Sequence, residues 1–248
     1  MAKPEINEFY DINKFPKEPG IIYFAVSMPL LNNIQHPKEM YKADEHVISK
    51  IQVSNTGVQV VYTDNLYLYS DKIAMDLKLK HQKTIEVHKQ SWLKLIKQNV
   101  YIIPKAFTFM TWSQLLLDCP NFSMYLTNFR KIYDKDKKLQ SYIKTDIKVA
   151  GREISEYTIG YMLEEILTDY LVVKGKVRLH NDYTQDKEEW VINTYQGKPH
   201  RSHVYLHQQN FFSLHNNKNM YQDSWYDILN KKLYDYKRLD IDTFDFGK

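Results

Sequence analysis

Cysteine is nearly absent from this chain: 248 residues hold one, Cys119. A disulfide framework needs cysteine pairs and a Cys-rich zinc site needs a cluster, so both are excluded. Glycine is scarce as well, at seven residues, and no Gly-x-Gly-x-x-Gly turn or P-loop occurs. Phosphate cradles are built from closely spaced glycines whose backbone N–H groups approach the anion, so no nucleotide cofactor is expected. A Gly-x-Ser-x-Gly elbow is missing too, which argues against an ordinary α/β-hydrolase. Long apolar runs are lacking. Ile21 to Val26 and the Leu-Val-Val segment at 171 to 173 are the longest, far short of the roughly 20 residues that span a bilayer. Residues 1 to 13 alternate charged and apolar side chains, unlike a signal peptide, so a cytoplasmic protein with a free thiol and no membrane partner is expected. Arginine is rare: five among 34 basic residues.

What is present is the balance of a folded chain, 43% apolar and 26% charged, with length for one large domain or two small ones. Tyrosine is abundant, at 20 residues. The net charge of +4 permits a nucleic-acid partner without demanding one.

Ile21-Ile22-Tyr23-Phe24-Ala25-Val26 follows a Pro19-Gly20 turn and reads as a strand buried on both faces, ended by Ser27-Met28-Pro29. Val58 to Thr63, behind Asn55-Thr56-Gly57, is a second such run, and Val100 to Ile103, cut by Pro104, a third. Helical stretches at about 38–54 and 71–98 lie between them. This alternation predicts an α/β fold with a parallel sheet flanked by helices, in a single domain over 1–248. Further on, Trp112–Leu117 and Phe122–Tyr133 read as one helix broken at Pro120, and Leu139–Val149 as another. The segment from Ser155 to Tyr170 is the clearest helix, with a serine to cap it and no internal proline. Lys176–Asn181 is expected as a strand, Asp186–Tyr195 as a helix ending at Gly197, and His203–His207 as an alternating strand. Residues 211 to 248, rich in Asn, Asp, Lys and Tyr, are expected as a loosely packed appendage.

In open α/β sheets ligands bind at the carboxyl ends of strands, which directs attention to Ser27 and Asp64. By position alone Ser27 is either a strand-end serine bonded to backbone or a nucleophile. Tyr161 and Glu165, four apart on a helix, share a face; they are either a grip for an amino group or a tyrosine beside a surface acid. Seven lysines against two acids lie between 72 and 97, which makes either a phosphate-binding helix or a solvated face. His203 and His207 have helical metal-pair spacing, but the strand pattern and the lack of an acid motif speak against zinc, so no metal is expected.

In order and spacing these fragments resemble the tRNA-dependent cyclodipeptide synthases, which have a Rossmann-like fold related to class I aminoacyl-tRNA synthetase catalytic domains. The resemblance rests on Phe24-Ala25-Val26-Ser27-Met28-Pro29, on Val61-Tyr62-Thr63-Asp64 followed by the basic stretch, on Tyr161-Met162-Leu163-Glu164-Glu165, and on Asn181-Asp182-Tyr183. It covers roughly residues 20 to 208 and leaves out the tail. It implies an aminoacyltransferase that joins two aminoacyl groups from aminoacyl-tRNAs into a diketopiperazine, acting as a monomer without cofactor. Ser27 would be the nucleophile, and Tyr161 and Glu165 would hold the substrate amino group. Tyr183 would orient substrate, with Tyr125 a further active-site tyrosine. Phe24, Ala25 and Leu30 would line the substrate pocket, and Lys78, Lys80, Lys83, Lys89, Lys94 and Lys97 would hold tRNA. Two positions depart from the family pattern. One subgroup has asparagine three residues after the nucleophile and histidine after the last tyrosine; Leu30 and Thr184 stand there. A second subgroup lacks that asparagine but has proline after the tyrosine, so the chain fits it at Leu30 and not at Thr184. The alternatives are a non-catalytic tRNA- or RNA-binding protein on the same fold and a serine esterase.

Overall fold

A computed structural model describes residues 20–27, 35–40, 56–63, 75–98, 106–117, 119, 121–176, 190–214, 223–227, 229–230 and 232–246. Six strands form one sheet: β1 (Gly20–Val26), β2 (Thr56–Tyr62), β3 (Phe107–Thr111), β4 (Trp190–Tyr195), β5 (Ser224–Asp227) and β6 (Lys232–Asp235). Their order is β3-β2-β1-β4-β5-β6. Every pair is parallel except β5 with β6. This is the Rossmann-like order with an antiparallel edge. β1 is buried along its whole length between two parallel neighbours, as its unbroken apolar run requires.

Among the described residues the helices with both ends defined are α1 (Met75–Gln98), α2 (Trp112–Leu117), α3 (Phe122–Lys135), α4 (Lys137–Val149), α5 (Glu156–Val173) and α6 (Arg201–Gln209). Strand alternation divides them into two layers. Ile22, Phe24 and Val26 face a core with Ile85, Trp92 and Ile96 of α1. Ile21, Tyr23 and Ala25 face the larger core, built with α2 to α6. α5 lies at the centre of that layer. It is apolar almost all round because both the sheet and its neighbouring helices surround it. Ser155 starts it, extended, in a reciprocal cap with Thr158.

Several expectations need correction. Asp186–Tyr195 is not a helix over its described part: residues 190–195 form β4, paired with β1. The segment expected as a strand at His203–His207 belongs to α6. Six consecutive residues, Ser202 to His207, are buried there, so packing on several sides hides the helical stripe. The third strand is Phe107–Thr111, beyond Pro104; 100–103 and most of 176–181 lie outside the described residues. Nor is the tail a loose appendage. β5 extends the sheet beside β4, β6 closes its edge, and Trp225, Tyr226 and Tyr236 are buried.

Candidate functional site

Chain order reverses direction across the sheet between β1 and β4, and the crevice at the carboxyl ends of these two strands is where such sheets bind ligands. Ser27 stands just past the end of β1, 5% exposed. Its neighbour Val26 is fixed from the β2 side, where Thr63 donates to the Val26 carbonyl through its N–H (2.9 Å) and its hydroxyl (3.1 Å). The Ser27 N–H donates to Gln35 Oε1 at 2.7 Å, and Gln35 Nε2 reaches the Ala25 carbonyl at 3.4 Å. Tyr195 ends β4, with Phe24 and Thr194 in register between the two strands.

From α5, Tyr161, Glu165 and Asp169 project at successive i, i+4 positions, one stripe towards the sheet. Glu165 is not a surface acid. Burial pushes its carboxyl up to about 7; Asp169 adds to the rise, while His200, Arg152 and the Tyr161 hydroxyl favour the ionised form. Glu164 points elsewhere and accepts from Trp112 Nε1 at 3.1 Å. The Arg152 guanidinium lies 4.4 Å over the Tyr161 ring. Burial, together with the charge of Glu165, holds the Tyr161 hydroxyl protonated far above the usual range. Asp169 accepts from the Tyr23 hydroxyl at 2.9 Å and lies 3.3 Å from His203 Nε2. Tyr195 joins the two halves. Burial, Glu165 and Asp169 raise its hydroxyl, and the Gln35 amide acts on it in the opposite sense. Through Gln35 and Tyr195 the Ser27 end of β1 is therefore connected to the Tyr161–Glu165 stripe.

Of the residues expected at the site, Ser27, Tyr161, Glu165 and Ala25 fall on this side of the sheet. Phe24 does not: it faces the α1 layer, because adjacent strand residues point to opposite faces, and only Ala25 shares the side of Glu165. Tyr125 sits on α3 with its ring edge-on to Phe212 at 5.6 Å. Tyr183, Leu30, Thr184 and Asp64 lie outside the described residues, as does the side chain of Lys78. Lys80, Lys83, Lys94 and Lys97 are exposed on α1, and Lys89 is half-buried, 6.0 Å from the Phe109 ring centroid. Gln35, Arg152, Tyr195 and His200 were missed. None of these carried a local signal, unlike Asp169, which lies four residues beyond Glu165 on α5; they are brought in by strand pairing and loop placement.

His203 and His207 are helical neighbours after all, but each faces its own acid, Asp169 at 3.3 Å and Asp223 at 3.2 Å. Among the described residues no group of three or more His, Cys, Asp or Glu side chains is placed to hold a metal. No described helix is long and apolar enough to cross a membrane.

No family model and no curated protein matches this chain. Solved structures do. A CDPS (cyclodipeptide synthase) from Fluoribacter dumoffii is 16% identical, with a TM-score of 0.52 over 87% of this chain and 92% of that one. A CDPS from Staphylococcus haemolyticus is 13% identical, with a TM-score of 0.52 over 82% and 88%. At such identities the shared property is the fold, and it extends over nearly the whole of both chains.

Proposed function

We propose that this protein is a tRNA-dependent cyclodipeptide synthase, an aminoacyltransferase that uses two aminoacyl-tRNAs to make a diketopiperazine. What supports this reading is a serine at the end of β1, at the switch point of a sheet shared with such synthases, on the same side of the sheet as a half-buried Tyr–Glu pair whose carboxyl is raised by desolvation. An aminoacyl-tRNA is already an activated ester, so neither ATP nor a metal is needed, and the substrate is found in the cytoplasm.

Ser27 Oγ attacks the ester carbonyl of the first aminoacyl-tRNA. The Oγ–C bond forms, the bond to the ribose oxygen breaks, and the Oγ proton passes to that ribose hydroxyl. Glu165 holds the α-ammonium of the bound aminoacyl group, and the Tyr161 hydroxyl accepts or donates beside it. In a ping-pong sequence the free amine of this seryl ester attacks the ester carbonyl of a second aminoacyl-tRNA: the C–N bond forms, the bond to the ribose oxygen breaks, the amine proton goes to the departing ribose hydroxyl, and a dipeptidyl ester remains on Ser27. The free amine, having given a proton to the Glu165 carboxylate, attacks the ester carbonyl; the C–Oγ bond breaks and Ser27 regains its proton as the ring leaves. A carboxyl near 7 suits both roles, since an amine of ordinary basicity lies within about one unit of it. Tyr195, at the end of β4 and within the electrostatic reach of Glu165, is a second candidate for the tyrosine role that the resemblance assigns to Tyr183.

The test is to incubate the protein with charged tRNAs and analyse products by mass spectrometry. A diketopiperazine is expected from wild type. Ser27→Ala should yield neither product nor a labelled protein; turnover by that variant would remove Ser27 from the mechanism. Binding of tRNA with no acyl adduct would instead identify a non-catalytic RNA-binding protein, and hydrolysis of simple activated esters without tRNA a serine esterase.

A further inference from the structure

Two buried side chains link Ser27 to the basic helix, and neither has a place in the chemistry above. They are Gln35, 1% exposed, and His88 of α1, 4% exposed. Their hydrogen bonds can be assigned without ambiguity. A backbone N–H only donates, so the atom that meets Ser27 N at 2.7 Å is the Gln35 amide oxygen. That fixes the amide: its NH2 end faces the Ala25 carbonyl at 3.4 Å and the Tyr195 hydroxyl. A carbonyl only accepts, so at the Gln35 main-chain oxygen, 2.8 Å from His88 Nε2, the ring nitrogen carries the proton. Burial keeps this imidazole neutral by lowering it to about 4, and Nδ1 accordingly accepts from the Tyr62 hydroxyl at 2.9 Å. Tyr62 closes β2 next to Thr63, whose bonds to Val26 hold the end of β1.

We infer that Gln35 is a positioning residue for Ser27 and Tyr195, anchored by His88 to the inner side of the lysine-bearing helix. The inference rests on the aminoacyl-transfer reading of Ser27. α1 shows solvent Lys80, Lys83, Lys94 and Lys97, while its inner side buries His88. One rigid element thus sets where a polyanion docks and where the nucleophile stands. Gln35 has a second consequence. In many serine acyl-transfer sites the nucleophile's own N–H helps to bind the oxyanion. Here that N–H is already donated to Gln35, so it serves to orient the Ser27 backbone and the oxyanion must be met by other donors.

The experiment measures single-turnover transfer of a radiolabelled aminoacyl group from aminoacyl-tRNA to the full-length protein, with tRNA affinity and melting temperature alongside. Gln35→Met keeps the length and removes every side-chain polar contact, leaving the main-chain bond to His88 in place. It should slow labelling by about 100-fold, the loss expected of a misplaced reacting group, with tRNA affinity unchanged. His88→Gln restores a donor at the Nε2 position and should label near the wild-type rate, whereas His88→Leu should be as slow as Gln35→Met. Gln35→Met labelling at the wild-type rate overturns the inference. So does a His88→Gln protein no faster than His88→Leu, or labelling that merely tracks melting temperature across the set. A wild-type protein that takes no label removes the aminoacyl-transfer reading, and the positioning role with it; a labelled wild type with an equally fast Gln35→Met removes the positioning role alone.

Discussion

At the scale of single residues, Glu165 decides most. Its carboxyl is raised by burial to about 7 and is poised by opposing neighbours: Asp169 raises it further, and His200, Arg152 and Tyr161 lower it. Two consequences can be separated. For activity, the carboxylate is the working form, so kcat/KM should rise with pH through about 7. Tyr161→Phe removes a group that favours the carboxylate, and should move that limb to higher pH; a limb that stays in place would detach Tyr161 from Glu165. For stability the sign is opposite to that of an ordinary ion-paired acid. The folded value lies above the 4.5 of a free glutamate, so the unfolded chain ionises first and stability falls as pH rises between 4.5 and about 7. Glu165→Gln does not titrate. Its melting temperature relative to wild type should therefore climb across that window, while product formation is lost. A difference that is flat with pH would mean that the carboxyl is not desolvated.

At the scale of elements, α1 has two sides with separable jobs. Ile85, His88, Trp92 and Ile96 face inward, and Lys80, Lys83, Lys94 and Lys97 face out with the exposed Val87. Trp92→Ala should cost about 3–5 kcal/mol of stability, because the indole is fully enclosed beside Phe107. The triple charge reversal Lys80→Glu, Lys83→Glu, Lys94→Glu touches only the exposed side. It should leave the melting temperature almost unmoved while weakening tRNA binding and flattening its salt dependence by about 2–3 in log–log slope. Binding titrations across salt concentrations check this, and an unchanged slope would take the lysine face out of the RNA contact. The elements also show where local pattern suffices. β1, β2, α1 and α5 were legible because each carries its own signal: an unbroken apolar run after a turn, a long stretch without proline, a serine cap. β4 was misread: Trp190, Val191, Ile192, Thr194 and Tyr195 favour a strand, but the charged residues 186–189 before them suggested a helix, and pairing with β1 decides it. The same limit applied to the site. Ser27, Tyr161 and Glu165 could be named from spacing within one element, but Gln35, Tyr195 and Arg152 join them only through the fold.

At the scale of the whole molecule, the last strands close the sheet and pin it to the central helix. Lys174, at the end of α5, is 2% exposed and donates to Asp223 Oδ1 at 2.7 Å. His207 Nδ1 of α6 lies 3.2 Å from the same oxygen, and Lys237 Nζ lies 2.6 Å from Oδ2. The Tyr236 N–H donates to the Asp223 carbonyl at 2.7 Å. Burial works against the Asp223 charge, but the bonds from His207, Lys174 and Lys237 prevail and hold its carboxyl well below the usual carboxylate range. Burial lowers His207 to about 4, so it is neutral here and the compensating cations are the two lysines. Asp223→Ala would leave Lys174 buried without its counter-charge. That should cost about 3–5 kcal/mol by urea denaturation at neutral pH, more than an exposed ion pair would. The direction with pH follows from the depressed value: the Asp223 contribution is fully present above the ordinary aspartate range and is lost as pH falls through the folded value. The gap between wild type and Asp223→Asn should accordingly be widest at neutral pH and close in strong acid. Removing residues 223–248 deletes β5, β6 and this cluster together, so the shortened chain should fail to fold rather than behave as a trimmed core. A truncated protein with an unchanged melting temperature would restore the tail to the status of an appendage.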